Sequence, residues 1–191
     1  ENQHVIDAEE GLVVLSAKGL TSLRGSVVNN SGKIQARGVR RVGGRIMLTA
    51  GEGGEVENQG LLDVSSLHGK GGEAILEGER IHLERESLID ASGRTGGGAV
   101  LAGGDWQGGH VEGKRILGKS FSISEADEVV MEKGARIDAS AIESGKGGDI
   151  VLWSDITDSE SSTIVRGSLY ARGGKDGGDG GNVETSGARL E

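Results

Sequence analysis

Three aspartates recur at one place in a repeated phrase, where carboxylates could carry acid–base chemistry or hold a cation. The phrase is an apolar residue, any residue, Ala or Val, then Ser or Arg, and Asp63, Asp90 and Asp138 take its second place. If the copies stack, like charges lie about 5 Å apart, which raises their proton affinity or attracts a cation. Such a column would suit a polysaccharide lyase or hydrolase, or a calcium site.

The same column also fits a purely architectural role, which we favour. It continues as Gln35 and Tyr170, and no Arg or Lys at the same repeat position completes a lyase-like set. Spacing that merely follows a repeat is evidence for architecture. We therefore predict no enzyme activity and leave open whether the aspartate column binds a cation.

Other cofactor chemistry finds little support in the composition. The chain has no Cys, and its four His are scattered without metal-ligand spacing. Its formal net charge of −9 disfavours nucleic acid and anionic lipid. We predict no metal and no cofactor. No run is apolar enough to span a bilayer and the start lacks a signal-peptide pattern, so we expect a soluble piece of a longer protein.

A repeat organises the chain. The phrase occurs five times, and a Gly pair followed by a short apolar run comes after each copy. The five copies are Ile34–Arg37, Leu62–Ser65, Ile89–Ser92, Ile137–Ser140 and Leu169–Arg172. A third extended segment precedes each phrase and carries Asn30 and Asn58 at equivalent places. These Asn side chains are expected to hydrogen-bond from one copy to the next.

Three short strands per repeat of about 27 residues, with no helical period, predict a parallel β-helix. We expect an all-β, single-stranded, right-handed solenoid of about five coils, with residues 1–191 as one segment of it. The chain has 37 Gly, no Pro and only four aromatic residues. Small aliphatic side chains therefore must fill a narrow interior.

The run after each Gly pair has two apolar faces. Its second and fourth positions, such as Ile46 and Leu48, are predicted to point inward. Its third position is also apolar in four copies, which gives an outward stripe that needs a cover. Residues 105–126 break the repeat, and we predict either a loop folded over that stripe or a degenerate coil. The candidate interaction surface is Met47, Ile75, Leu101, Val151, Trp106 and Trp153.

Several motifs resemble the filamentous haemagglutinin family of exoproteins, the secreted partners of bacterial two-partner secretion systems. They are Val27–Ile34, Ile89–Gly93, Gly96–Gly108, Gly147–Asp155, Gly167–Gly174 and Gly177–Gly187. Asn182 stands where the family often has an aromatic residue. The family's secretion domain and signal peptide are not recognisable in the chain, so we expect a central β-helical segment.

The resemblance implies export through an outer-membrane transporter, contacted by a region outside this chain, and folding outside the cell. We expect a secreted rod at the bacterial surface that serves adhesion, with an unknown receptor or glycan as partner. A chain without Cys or Pro avoids disulfides and slow X-Pro isomerisation while it threads a pore. The alternatives are a polysaccharide-active enzyme and a fibre subunit that self-associates end to end.

Overall fold

The computed structural model describes residues 1–9, 11–17, 27–37, 44–51, 53–110, 116 and 122–191. It contains three parallel sheets of six strands each, and consecutive strands along the chain belong to different sheets. Each circuit of the three sheets is one coil, and the whole makes a β-solenoid of about five turns. The predicted all-β parallel β-helix is therefore confirmed.

The strands are short, and every pair is parallel and in register. Sheet A contains β3 (Val27–Asn30), β6 (Glu55–Asn58), β9 (Arg80–Leu83), β12 (Glu128–Met131), β15 (Ser162–Val165) and β18 (Arg189–Leu190). Sheet B contains β1 (Val5–Asp7), β4 (Lys33–Gln35), β7 (Leu61–Asp63), β10 (Leu88–Asp90), β13 (Arg136–Asp138) and β16 (Ser168–Tyr170). Sheet C contains β2 (Leu12–Ser16), β5 (Arg45–Thr49), β8 (Glu73–Glu77), β11 (Ala99–Ala102), β14 (Asp149–Trp153) and β17 (Asn182–Ser186).

The core is a stack of aliphatic side chains, one layer per coil. Ile46 and Leu48 of β5 are fully buried, as predicted, and so are the equivalent residues of β8, β11 and β14. Val183 occupies the same inward place in β17 but is 45% exposed, because β17 is an edge strand with β14 on one side only. Burial therefore depends on a coil stacking on each side.

Glycines let the coils approach closely at the start of each sheet C strand. Backbone N–H groups of Ala99, Asp149 and Asn182 donate to the carbonyls of Gly72, Gly98 and Gly148, one coil earlier. A Cβ built on Gly148 would overlap the carbonyl oxygen of Gly98. The Gly pairs seen in the sequence thus mark a bend where only hydrogen fits between the coils.

A ladder of side-chain amides lines the turn after sheet A. Asn2 donates to Asn30 and Asn30 donates to Asn58, each at 2.8 Å, and Asn58 donates to the Ser87 hydroxyl at 2.6 Å. Asn30 and Asn58 are fully buried. The predicted hydrogen bonding between copies of the repeat is confirmed, and it joins four successive coils.

Candidate functional site

Part of the segment that interrupts the repeat, residues 105–126, packs against the outward apolar stripe of sheet C. We call its described residues, 105–110, 116 and 122–126, the cover segment. Its described residues form a short 3₁₀ turn, Trp106–Gly109, and add no strand to the three sheets. Ile75, Leu101, Val151 and Trp153 form a second buried cluster with Ile123 of the cover segment. Met47, Trp106 and Ile116 pack against it and are partly buried.

The structure brings the six predicted interaction residues together, but it leaves few of them accessible. Ile75, Leu101 and Val151 are at most 1% exposed and Trp153 is 3% exposed. Ile123, Trp106 and Ile116 of the cover segment pack against these residues. Met47 and Trp106 are the two that keep part of their surface, and the interaction surface of these six residues stays a prediction. Phe121 and the basic pairs Arg40–Arg41 and Lys114–Arg115 lie outside the described residues.

Carboxylates hold the cover segment at both of its ends. Asp105 accepts hydrogen bonds from the backbone N–H of Trp106 at 2.7 Å and of Ile116 at 2.9 Å. Glu125 accepts from the indole N–H of Trp153 at 3.0 Å, and its other oxygen lies 2.6 Å from Nε2 of His110. These bonds give the N–H groups of Trp106, Ile116 and Trp153 a partner beside the apolar cluster.

Two further carboxylates come from the solenoid itself. Glu77, at the end of β8, accepts from the Ser124 N–H at 3.0 Å, and Glu184 of β17 accepts from the Gln107 N–H at 2.8 Å. Gln107 has a φ of 52°, the one positive φ of a non-glycine residue in the part of the chain that the structure describes. Such a backbone persists only where its surroundings fix it, and Glu184 provides that contact.

Sequence reasoning did not find these four carboxylates. Glu77 and Glu184 lie in different copies of the repeat and at different positions within it, and Asp105 and Glu125 lie in the segment that breaks it. No periodic signal therefore connects the four. The interruption of the repeat was the available signal, because it located the cover segment but not its partners.

The aspartates that could have carried chemistry do stack in register, as predicted: Asp63 pairs with Asp90, and Asp90 with Asp138. One oxygen of each carboxylate accepts the backbone N–H two residues ahead, from Ser65, Ser92 and Ser140 respectively. These bonds close the bend that follows each sheet B strand. Asp63 is 7% exposed, so this carboxylate is buried.

The pKa of Asp138 shows how one of these bends is stabilised. Burial alone would raise it, but hydrogen bonds from Ser140 and from the Arg136 guanidinium together outweigh burial and lower the pKa below its ordinary 3.8. A carboxylate whose pKa is lower in the folded state stabilises the fold above its unfolded pKa. That stabilisation is lost as the pH falls through the folded value.

Asp138→Asn is therefore expected to destabilise the chain by about 1 kcal/mol at neutral pH, an effect that shrinks as the pH falls below 3.8. Urea unfolding at a series of pH values measures it. Asp179→Asn, an exposed aspartate, is the control. If Asp138→Asn destabilises the chain by the same amount below pH 3.8 as at neutral pH, the Asp138 charge does not stabilise the bend.

The described residues contain no group of three or more His, Asp and Glu placed to hold a metal ion. None of their helices is long and apolar enough to cross a membrane.

The fold of this chain is similar to that of a solved structure. The chain superposes on the crystal structure of the HMW1 secretion domain from Haemophilus influenzae with a TM-score of 0.77 and 29% sequence identity. The chain resembles a two-partner secretion exoprotein. The match covers 99% of this chain and 44% of the HMW1 secretion domain, so the chain spans less than half the length of that relative. No family model and no curated protein matches the chain.

The HMW1 match confirms the resemblance that the sequence motifs predicted. It also adds a detail that they did not provide. The neighbour is a secretion domain, whereas the sequence predicted a central segment without recognisable secretion-domain features.

Proposed function

We propose that this chain is part of the secreted partner of a bacterial two-partner secretion system, and that its β-solenoid takes part in export through the outer-membrane transporter. The observation that carries the proposal is the similarity to the HMW1 secretion domain over 99% of the chain. The sequence led us to expect the transporter contact outside this chain. Since the neighbour is itself a secretion domain, we propose that the contact involves this chain.

Competition in the periplasm tests the proposal. The chain is directed to the periplasm of cells that carry its parent exoprotein and the parent's transporter, and secreted parent is measured in the medium. An excess of the chain is expected to lower parent secretion by occupying the transporter. An unrelated β-solenoid of similar size and charge is the matched control. Unchanged secretion at high chain levels would reject transporter contact by this segment.

A disulfide between adjacent coils provides a second test, because an exported chain must pass the pore unfolded. Asp149 and Asn182 are register partners on neighbouring strands and their side chains are 2.6 Å apart. Parallel strands lie about 4.8 Å apart, within reach of a disulfide. Asp149→Cys with Asn182→Cys is expected to block export under oxidising conditions and to permit it with reductant. Each single variant is the control, and equal export of the oxidised double variant would contradict threading.

Adhesion is a second proposed role, and one feature of the turns favours it. Ser66, Gly93 and Ala141 bridge one another in successive coils, so the residues that follow them form a ridge between sheets B and C. Two residues of this ridge are apolar and exposed, Leu67 at 62% and Ile142 at 48%. A surface protein could use such a ridge to contact a receptor or glycan on another cell.

The adhesion role is tested with beads that carry the chain and are washed over epithelial cells. Leu67→Ser combined with Ile142→Ser is expected to reduce bead retention several-fold. Ile156→Ser removes an equally exposed apolar side chain, 50% exposed, away from the ridge and is the control. Equal retention of the wild type and the ridge variant would reject the ridge as the adhesive surface.

The enzyme and fibre alternatives have less support. The aspartate column gives no support to a polysaccharide-active enzyme, because each carboxylate closes a bend. End-to-end association remains a prediction: Val5 and Leu190, near opposite ends of the solenoid, are 63% and 60% exposed. Light scattering that shows only monomer at high concentration would remove it.

A further inference from the structure

The cover segment leaves the solenoid after β11 and rejoins it before β12, but its contacts reach well beyond those two strands. Ser124 is bonded to Glu77 at the end of β8, Glu125 to Trp153 at the end of β14, and Gln107 to Glu184 of β17. Strands β8, β11, β14 and β17 are consecutive in sheet C. The described residues of the cover segment therefore contact four neighbouring coils.

In a solenoid each coil otherwise contacts only the coils next to it, so its stability is local. The cover segment departs from that rule, since it connects β8 to β17 although two strands lie between them. Two of its partners also lie later in the chain. Trp153 is 28 residues after Glu125, and Glu184 is 77 residues after Gln107. Its contacts can therefore be complete only when β14 and β17 are in place.

From these contacts we propose that the cover segment is a clamp, closed by β14 and β17, that couples the last two sheet C strands to the middle of the solenoid. Glu184 fixes the Gln107 backbone in its unusual conformation, and Glu125 fixes the edge of Trp153. Weakening either carboxylate contact loosens the cover segment as a whole. The clamp is a property of the folded chain and does not depend on the export proposal.

Hydrogen exchange of individual amides in the full chain tests the coupling. Glu184→Gln keeps the side-chain shape but removes the charge that strengthens the bond to Gln107. Exchange of the Ser124 amide, which bonds to Glu77 and not to Glu184, is expected to become about tenfold faster. The backbone amides that pair β5 with β8 are expected to keep their exchange rates. Asp179→Asn makes the same charge change at an exposed site near β17 and is the control.

The reciprocal variant completes the test. Glu125→Gln weakens the contact with Trp153 and is expected to speed exchange of the Gln107 amide by a similar factor, because coupling between two sites acts in both directions. If Glu184→Gln affects Gln107 but leaves Ser124 unchanged, or if Glu125→Gln leaves Gln107 unchanged, the contacts are independent and there is no clamp. Either result leaves the export proposal untouched, since that proposal is measured by secretion.

Discussion

Gly148→Ala is expected to lower the free energy of unfolding by about 3 kcal/mol or more, at the upper end of what overpacking costs. The new methyl group would overlap the carbonyl oxygen of Gly98, and this is backbone that cannot rotate away. That carbonyl also accepts the Asp149 N–H, so moving it disturbs the pairing of β11 with β14. The two coils would have to separate to make room for one methyl group.

Gly180→Ala is the matched control for this effect. The nearest atom to a Cβ at Gly180 is the Ala171 carbonyl oxygen at 3.6 Å, an ordinary contact, so this variant is expected to change stability by less than about 1 kcal/mol. Urea midpoints of the wild type and both variants measure the difference. Similar midpoints for the two variants would show that close approach of the coils is not what requires glycine at position 148.

Asn58→Ala is expected to cost about 2–4 kcal/mol, because it breaks the amide ladder in its middle. Asn58 accepts from Asn30 at 2.8 Å and donates to the Ser87 hydroxyl at 2.6 Å and to the Gly60 carbonyl at 3.1 Å. Asn30 is fully buried, so its amide would be left without its acceptor and with no access to water. The loss exceeds that of one bond, since several buried groups lose their partner together.

Gln59→Ala serves as the control for Asn58→Ala, since the neighbouring side chain is exposed and lies outside the ladder. Its expected effect is within about 0.5 kcal/mol. Thermal or urea unfolding measures both variants under the same conditions. A cost for Asn58→Ala no larger than for Gln59→Ala would mean that the ladder does not contribute to stability.

The solenoid was predictable from sequence because each copy of the repeat carries the same pattern of apolar, polar and turn residues. Ile89 and Ile137 occupy one interior place, and Asp90 and Asp138 one bend, so a single pattern indicates strand, facing and turn. The equivalent places of Asn30 and Asn58 in the repeat predicted the amide ladder in the same way. A periodic pattern in the sequence therefore reveals the features that every coil shares.

The clamp contacts were not predictable for the converse reason. Glu77, Glu125 and Glu184 each make a single contact with a residue far away in the sequence. No repeated pattern around these glutamates distinguishes them from glutamates on a solvent-exposed surface. The apolar stripe told us that a cover was needed, and the break in the repeat told us where the cover could come from. Which strands the cover contacts depends on the three-dimensional stacking of coils that are far apart in sequence.

The difference between repeated and non-repeated features also matters for function. The strands and bends that recur in every coil are the scaffold. The cover segment and the exposed apolar side chains of Leu67 and Ile142 are where this solenoid differs from a uniform rod. The likeness to the HMW1 secretion domain extends over 99% of the chain. We therefore expect export to depend on the shape of the whole segment, and adhesion to depend on the ridge.

Export of the chain on its own tests the central proposal most directly. The chain is placed behind a cleavable signal peptide and expressed with and without its own two-partner transporter, and the fraction in the medium is measured together with a periplasmic marker for leakage. The proposal predicts that the chain reaches the medium only when the transporter is present. Retention of the folded chain in the periplasm with a working transporter, or equal release without one, would contradict it.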